Sequence, residues 1–482
     1  MDSALGKTPP QQQPASPELA PRFVGCDLHK QQITFCILDG EGTVRQRGRI
    51  ASTRQAIQAF ARNELRLTDE VSMEATTNTW AVVDLIEPHV ARIVVSNPMT
   101  TQAIAAAKIK TDRIDANVLA DLLRCRYLPE VWQPDPATRK LRRLTNRRAG
   151  LVGDRTAIKN RLHAVLAMRL MEVPVKDLFS PAGLAWLRST PGFDEETRCA
   201  VNSDLRLLDT TEAELKALDL TLAQLGYSEA RVKLLMTLPG VDLPVALSLL
   251  AAWGDESRFI DAEHAVSYLG LVPRTYQSDR RCYRGPITKQ GNTNARWMLV
   301  QAAQHLDAHP GPLGVFFRRL LNRKNRNVAV VAAARKLATV AWHMLRNNEP
   351  YRYAQSDTTA AKLARLRVKA TGERRKPATV KGQACVSKSA TGGRTRTVKP
   401  LAKVYEEEGL PLPTGLKSGE VRMIEETGVR PFVETLGHEQ IKRKGHRRKK
   451  PVEDAQSGAR KEIGSADRRA VESTAASDEQ RA

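Results

Sequence analysis

The 482-residue chain is 41% hydrophobic but only 5% aromatic, and it carries a formal net charge of +23 with an isoelectric point near 10.0. That length permits two or three domains with cores of their own, and the charge points to a polyanionic partner, nucleic acid before membrane. Six cysteines without a C-x-x-C pair argue against a zinc ribbon or a disulfide framework and fit a reducing cytosol, and no run approaches the roughly 18–20 apolar residues that span a bilayer.

Residues 1–21 are rich in Pro and Gln, lack the charged start and apolar run of a signal peptide, and read as a disordered leader. Three short apolar runs come next, Phe23 to Leu28, Ile33 to Asp39 and Thr43 to Ala51, and predict a three-stranded meander. Helical spacing then begins after Thr53, a candidate N-cap. A fourth strand ends at Glu74, a helix stops near Pro88, a fifth strand ends before Pro98, and two further helices cover about 100–107 and 112–125. This order matches the ribonuclease H-like fold, with the first strand central and the fourth beside it.

From Thr138 to about Arg169 a long amphipathic helix carries Leu141, Leu144, Leu151, Ile158, Leu162 and Val165 on an Arg-rich background. It is suited to a coiled coil between chains or a helical hairpin with residues 204–225, which spacing does not separate. Residues 234–255 read as two helices around a Pro-Gly-Val turn, a helix-hairpin-helix whose turn amides can hold a phosphate, although Asp242 stands where a second glycine is usual. A helix, a compact polar loop and another helix fill 257–309, and 325–348 is an alanine-rich helix. Beyond residue 355 the periodicity fails except at 400–436, and the basic run at 442–450 belongs to a tail read as mostly disordered.

An acid inside a buried strand costs several kcal/mol unless it is compensated. Asp27 is such an acid, and a ribonuclease H-like strand order makes Glu74 its neighbour. Asp112 and Asp115, three apart, share one helix face. Four converging carboxylates repel unless cations neutralise them, and hard oxygen ligands select Mg²⁺ or Mn²⁺, the ions of phosphodiester chemistry. A second constellation surrounds Ser278: Arg274, Arg280, Arg281, Arg284, Lys289 and Arg296, with Asn292 nearby. Such a cluster suits phosphate binding, with the serine a phosphate-contacting hydroxyl or a nucleophile.

The motifs GCDLHK, MEAT, KTDRIDANVLADLL, LPGV, YLGLVPRTYQS, GPITKQGNTNARWMLVQAA and AARKLATVAWHML occur in this order between about residues 22 and 350. In them the chain resembles the insertion-sequence-110 family of transposases, the DEDD recombinases. The resemblance implies a RuvC-like DEDD domain at 22–130, a helical, coiled-coil region at 131–230, and a mainly α-helical transposase domain at 231–355, followed by the basic tail at 356–482. It further implies that Ser278 attacks a phosphodiester and holds DNA as a phosphoserine. Asp27, Glu74, Asp112 and Asp115 with Mg²⁺ then complete a site shared by two protomers of a homo-oligomer, dimer to tetramer. A structured bridge RNA guides characterised members, and the expected location is the bacterial cytoplasm, at the nucleoid. The family's Ser-Gly-Gly is here Ser278-Asp279-Arg280, which removes glycine's freedom at the loop. Two other readings use the same residues: a metal-dependent RuvC-like endonuclease working with water, and a nucleic-acid-binding protein without catalysis.

Overall fold

The computed structural model describes residues 20–104, 112–278, 281–373 and 395–443; a few side chains, those of Asp112 and Arg284 among them, fall outside the description. The leader, Arg280 and the basic run beyond residue 443 also lie outside the described residues.

The first part contains β1 (Phe23–Leu28), β2 (Gln32–Leu38), β3 (Val44–Ala51), α1 (Arg54–Asn63), β4 (Glu70–Glu74), α2 (Thr79–Ile86), β5 (Arg92–Ser96), α3 (Pro98–Ile104) and α4 (Asp112–Arg124). Its sheet runs β3-β2-β1-β4-β5, with β1 antiparallel to β2 and parallel to β4. The meander and the central first strand expected from the apolar runs are present. Strand alternation sends Val24, Cys26, Ile33, Phe35, Val71 and Met73 to one face, against Ile57 and Phe60 of α1 and Val82 and Val83 of α2. Phe23, Cys36, Leu38 and Val94 point to the other face, where Ala116, Ala120 and Leu123 of α4 cover them. Thr53 caps α1 by accepting a hydrogen bond from the Ala56 amide at 3.3 Å.

Next come α5 (Pro136–Met168), α6 (Pro181–Ser189) and α7 (Glu195–Ser228). Here α5 pairs with α7 of its own chain, so the apolar stripe of α5 is spent within the molecule. Ion pairs lace the two helices: Arg148 to Asp219 at 2.6 Å and Arg161 to Asp204 at 2.6 Å.

The linker before α5 ties the sheet domain to the helical C-terminal region. Trp132 lies under the guanidinium groups of Arg142, 5.1 Å from its ring, and Arg258, at 4.1 Å. Gly254, with φ +66, meets the same ring, and a Cβ there would lie 2.2 Å from it, so glycine is required both for its backbone and for its size.

The remaining elements are α8 (Ala230–Leu235), α9 (Leu243–Trp253), α10 (Ala262–Tyr268), β6 (Pro273–Ser278), β7 (Arg281–Ile287), α11 (Thr293–Ala303), α12 (Pro312–Leu321), α13 (Arg326–Asn347), α14 (Ser356–Thr371), β8 (Thr395–Val398), α15 (Leu401–Glu407), α16 (Ser418–Thr427), α17 (Arg430–Thr435) and β9 (Gln440–Arg443). One large core joins α7 through α17 around α13. Among the described residues α13 alone is long and apolar enough to cross a membrane, and 56% of its apolar window is buried in this core.

Two expectations are corrected. The stretch read as a polar loop is a two-stranded antiparallel ribbon, β6–β7, with Tyr276 opposite Tyr283. The boundary at residue 355 also fails, because α14 is built into the core. Its Leu363 and Leu366 are buried, Arg367 pairs with Glu408 of α15's C-terminus, and Lys362 Nζ donates to the carbonyls of Leu238 (2.7 Å) and Val241 (2.9 Å). Those carbonyls belong to the α8–α9 turn, so the proposed helix-hairpin-helix turn is held from within by a buried cation.

Burial pushes the Lys362 ammonium down to about 7, against a smaller opposing pull from Asp242. The folded state therefore binds fewer protons than the unfolded chain between about pH 7 and the ordinary lysine range. This contribution to stability rises with pH across that window and is lost as pH falls through about 7. Measured by chemical denaturation, wild type is expected to gain about 2 kcal/mol on the Lys362→Met variant between pH 7 and pH 9. A pH-independent difference would show that the ammonium keeps its ordinary pKa in the fold.

Candidate active site

Gly25 sets the site's geometry. A Cβ on Gly25 would lie 2.0 Å from the Ala116 carbonyl oxygen and 2.6 Å from the Ala120 amide, so α4 rests directly on β1 at this point. Two residues on, Asp27 faces the same side as Gly25. On β4, Ser72 donates to the carbonyl oxygens of Leu119 (3.0 Å) and Val24 (3.2 Å), which places Ser72, and Glu74 two residues later, on that side as well. Cys26 pairs with Met73, so Asp27 and Glu74 each stand one step beyond the last paired couple of the two central strands.

Helix α4 runs antiparallel to β1, with Leu123 near Phe23. From Gly25 to Asp27 is about 7 Å along the strand, which a helix covers in four or five residues at about 1.5 Å each. Counted back from the Ala116–Ala120 contact, the first turn of α4 comes level with Asp27. Asp112 and Asp115 are on that turn, and residues 112, 116, 119 and 123 make one helical stripe. The fold thus places Asp27 and Glu74 at adjacent strand ends and the first turn of α4, with Asp115, over the same end of the sheet, while the Asp112 side chain lies outside the described residues.

Two neighbours were missed by sequence reasoning. Thr34 is opposite Asp27, and Ser96 is opposite Glu74, giving a row Thr34, Asp27, Glu74, Ser96 across four adjacent strands. Both hydroxyls are buried, and neither has a hydrogen-bond partner among the described residues. A buried orphan hydroxyl costs about 1–3 kcal/mol, so two of them beside two acids mark a place where polar groups are held ready for something else. His29, also missed, approaches Asp27 at 3.0 Å from Nε2 to Oδ2.

Among the described residues no three His, Cys, Asp or Glu side chains lie close enough together to hold a metal ion. The all-carboxylate donor set nevertheless suits a hard divalent cation.

Ser278 is the last residue of β6, opposite Arg281, and is exposed. Arg274 and Arg281 are exposed along the same ribbon, as are Tyr276 (62%) and Tyr283 (69%). Among the described residues the ribbon's substantial packing is between its own two strands, with none to the sheet that carries the acids. Beyond the ribbon, Lys289 is exposed with φ +55. Asn292 caps α11 by accepting from the Ala295 amide at 2.9 Å. Arg296 donates to the Leu269 carbonyl at 3.0 Å, and burial lowers its pKa. Of the predicted phosphate ligands, Arg274 and Arg281 face solvent, whereas Asn292 and Arg296 are occupied in holding the fold.

Two regions of the chain match known families: residues 24–169 match the DEDD transposase domain of IS110 type, and residues 232–313 match a domain described as Transposase IS116/IS110/IS902 family. The first contains the acid row and α4, the second the ribbon. The chain carries two IS110-family transposase domains. Relatives include the transposase for insertion sequence element IS1111A of Coxiella burnetii, 27% identical over 69% of this chain and 91% of the relative. The pilin gene-inverting protein of Moraxella lacunata is 26% identical over 68% of this chain and 97% of the relative. A putative transposase, y4qE, of Sinorhizobium fredii is 27% identical over 58% of this chain and 70% of the relative. With these domains the chain is an enzyme that cuts and joins DNA, and its DEDD domain is of a type that uses a divalent metal.

Proposed function

We propose that the transposase moves an insertion sequence by transesterification, with Ser278 as nucleophile and Asp27, Glu74, Asp112 and Asp115 holding Mg²⁺ or Mn²⁺. The observation that carries this reading is the polar row on β2-β1-β4-β5, level with the first turn of α4 and containing two buried hydroxyls without partners among the described residues. A bound divalent cation would neutralise the carboxylates and stabilise charge on the phosphoryl oxygens. The Ser278 hydroxyl gives up its proton and forms an Oγ–P bond as a P–O bond to the DNA sugar breaks, and the departing sugar oxygen takes a proton. Reversal with a different sugar hydroxyl rejoins the strands without ATP, because the phosphoserine conserves the bond. Arg281, opposite the serine in the ribbon, suits the phosphate's charge.

Separation of the ribbon from the acid-bearing sheet supports a site completed by a second copy of the chain, in a dimer or tetramer. The enzyme would act on DNA in the bacterial cytoplasm, at the nucleoid, guided by a structured RNA. Sequencing the RNA that copurifies tests that last element: one discrete species supports guidance, and random fragments count against it.

The reaction itself is tested with end-labelled DNA run on denaturing gels. Protein-linked DNA is expected with Mg²⁺ or Mn²⁺, and chelation is expected to abolish it. Metal-dependent cutting with no linked protein at any time would favour the hydrolytic endonuclease instead.

A further inference from the structure

The edge strand β3 carries cations that the proposed reaction leaves unused. Arg45, Arg47 and Arg49 alternate along it, and all three are exposed. Register fixes the face that the last two share. Arg47 is opposite Cys36, which packs under α4, and Arg49 is opposite Thr34, which is itself opposite Asp27. Arg49 therefore extends the polar row by one strand, about 10 Å from Asp27 across two strand spacings. Arg47 stands about 7 Å back along β3.

This face of β3 is open. Among the described residues α4 has its substantial packing on β1, β2 and β4, and α1, which packs on β3, belongs to the opposite face. The result is a ledge beside α4, floored by the arginines and ending level with the acids.

The ledge's own carboxylates are spent. Asp39 pairs with Arg45 at 2.7 Å, and Asp121 pairs with Arg124 at 2.7 Å. Arg47 donates to the neutral Asn117 Oδ1 of α4 at 2.9 Å. Among the described residues neither Arg47 nor Arg49 pairs with a carboxylate, so positive charge is in excess there. Charge on an edge strand also deters strand-to-strand association, but that end is served on either face. It does not account for guanidinium groups on the open side of α4, in register with Asp27.

We propose that Arg47 and Arg49 hold backbone phosphates of the DNA strand that enters the acid row, leading it along β3 to Asp27. The inference rests on the acid row being where that strand is cut. A guanidinium fork matches two phosphate oxygens at once, and such contacts fix a strand's position without reading its sequence.

The test is the salt dependence of binding by the full chain to a random-sequence DNA duplex, its separated strands, and RNA of the same sequence, with chelator present so that nothing is cut. Arg47→Ala/Arg49→Ala is expected to flatten the slope of log K against log salt for DNA by about 1.4–1.8, the share of two phosphate contacts. Arg47→Lys/Arg49→Lys keeps both charges and should restore the slope. Arg62→Ala/Arg66→Ala removes two exposed charges from the α1 side of the same domain and should leave the slope unchanged. With Mg²⁺, the Arg47/Arg49 alanine pair should lose about tenfold in kcat/KM for cutting, with kcat within about twofold. An unchanged slope, an equal change in the control, no restoration by lysine, or a loss confined to RNA would each overturn the assignment. Binding under chelator involves neither the metal nor attack by Ser278, so failure of the proposed reaction would leave the slope result intact. Both arginines are exposed, so folding of the variants is not at stake.

Discussion

Asp27→Asn is expected to slow DNA strand cutting by about 10³-fold or more, while DNA affinity stays within about twofold. The reasoning is positional. Asp27 stands on the α4 side of β1, beside Glu74 and between the two orphan hydroxyls, so its carboxylate is the central member of the row. Removing its charge weakens cation binding at the step where phosphoryl charge develops, yet leaves the arginines of the ribbon untouched. Gly25→Ala separates placement from chemistry. Its Cβ would drive α4 away from β1, so both stability and cutting should fall together, with a destabilisation of about 3 kcal/mol or more. An Asp27→Asn enzyme that cuts within tenfold of wild type would remove the carboxylate assignment.

Sequence pattern carries this fold unevenly, and the reasons are physical. The five strands announce themselves through apolar runs bounded by turns, and Asp27 stands out because an acid in such a run demands compensation. Pairing of β1 with β4 follows from element order, and so does the meeting of Asp27 with Glu74. Thr34 and Ser96 were not legible, since a threonine and a serine in strands mean nothing until register sets them level with the acids. His29 was passed over for a similar reason: its approach to Asp27 depends on the turn after β1. The β6–β7 ribbon escaped because its two-residue tip is Asp-Arg rather than the Asn-Gly or Asp-Gly that signals a hairpin. Helix α14 was hidden by its charge. Lys362 and Arg367 look like tail residues in composition, but one spends its ammonium on two turn carbonyls and the other pairs with Glu408 in the interior.

Ser278→Ala is expected to eliminate the protein–DNA adduct and reduce cutting by about 10³-fold or more, at unchanged DNA affinity. The position makes the result readable. Ser278 ends an exposed strand, and its side chain faces solvent, so loss of one hydroxyl should change stability by no more than about 0.5 kcal/mol. A loss of activity there reports chemistry and not folding. The two surviving mechanisms then diverge. If water is the nucleophile and the serine only steadies a phosphate, the alanine variant still cuts, slowed by the roughly 1 kcal/mol that one neutral hydrogen bond contributes. If the serine attacks, neither adduct nor rejoined product forms, and mixing Ser278→Ala with Asp27→Asn protein becomes informative. Each variant supplies the group the other lacks, so activity regained on mixing requires that one protomer's ribbon serve another's carboxylates. Two inactive variants that stay inactive together would place both groups of each site in one chain.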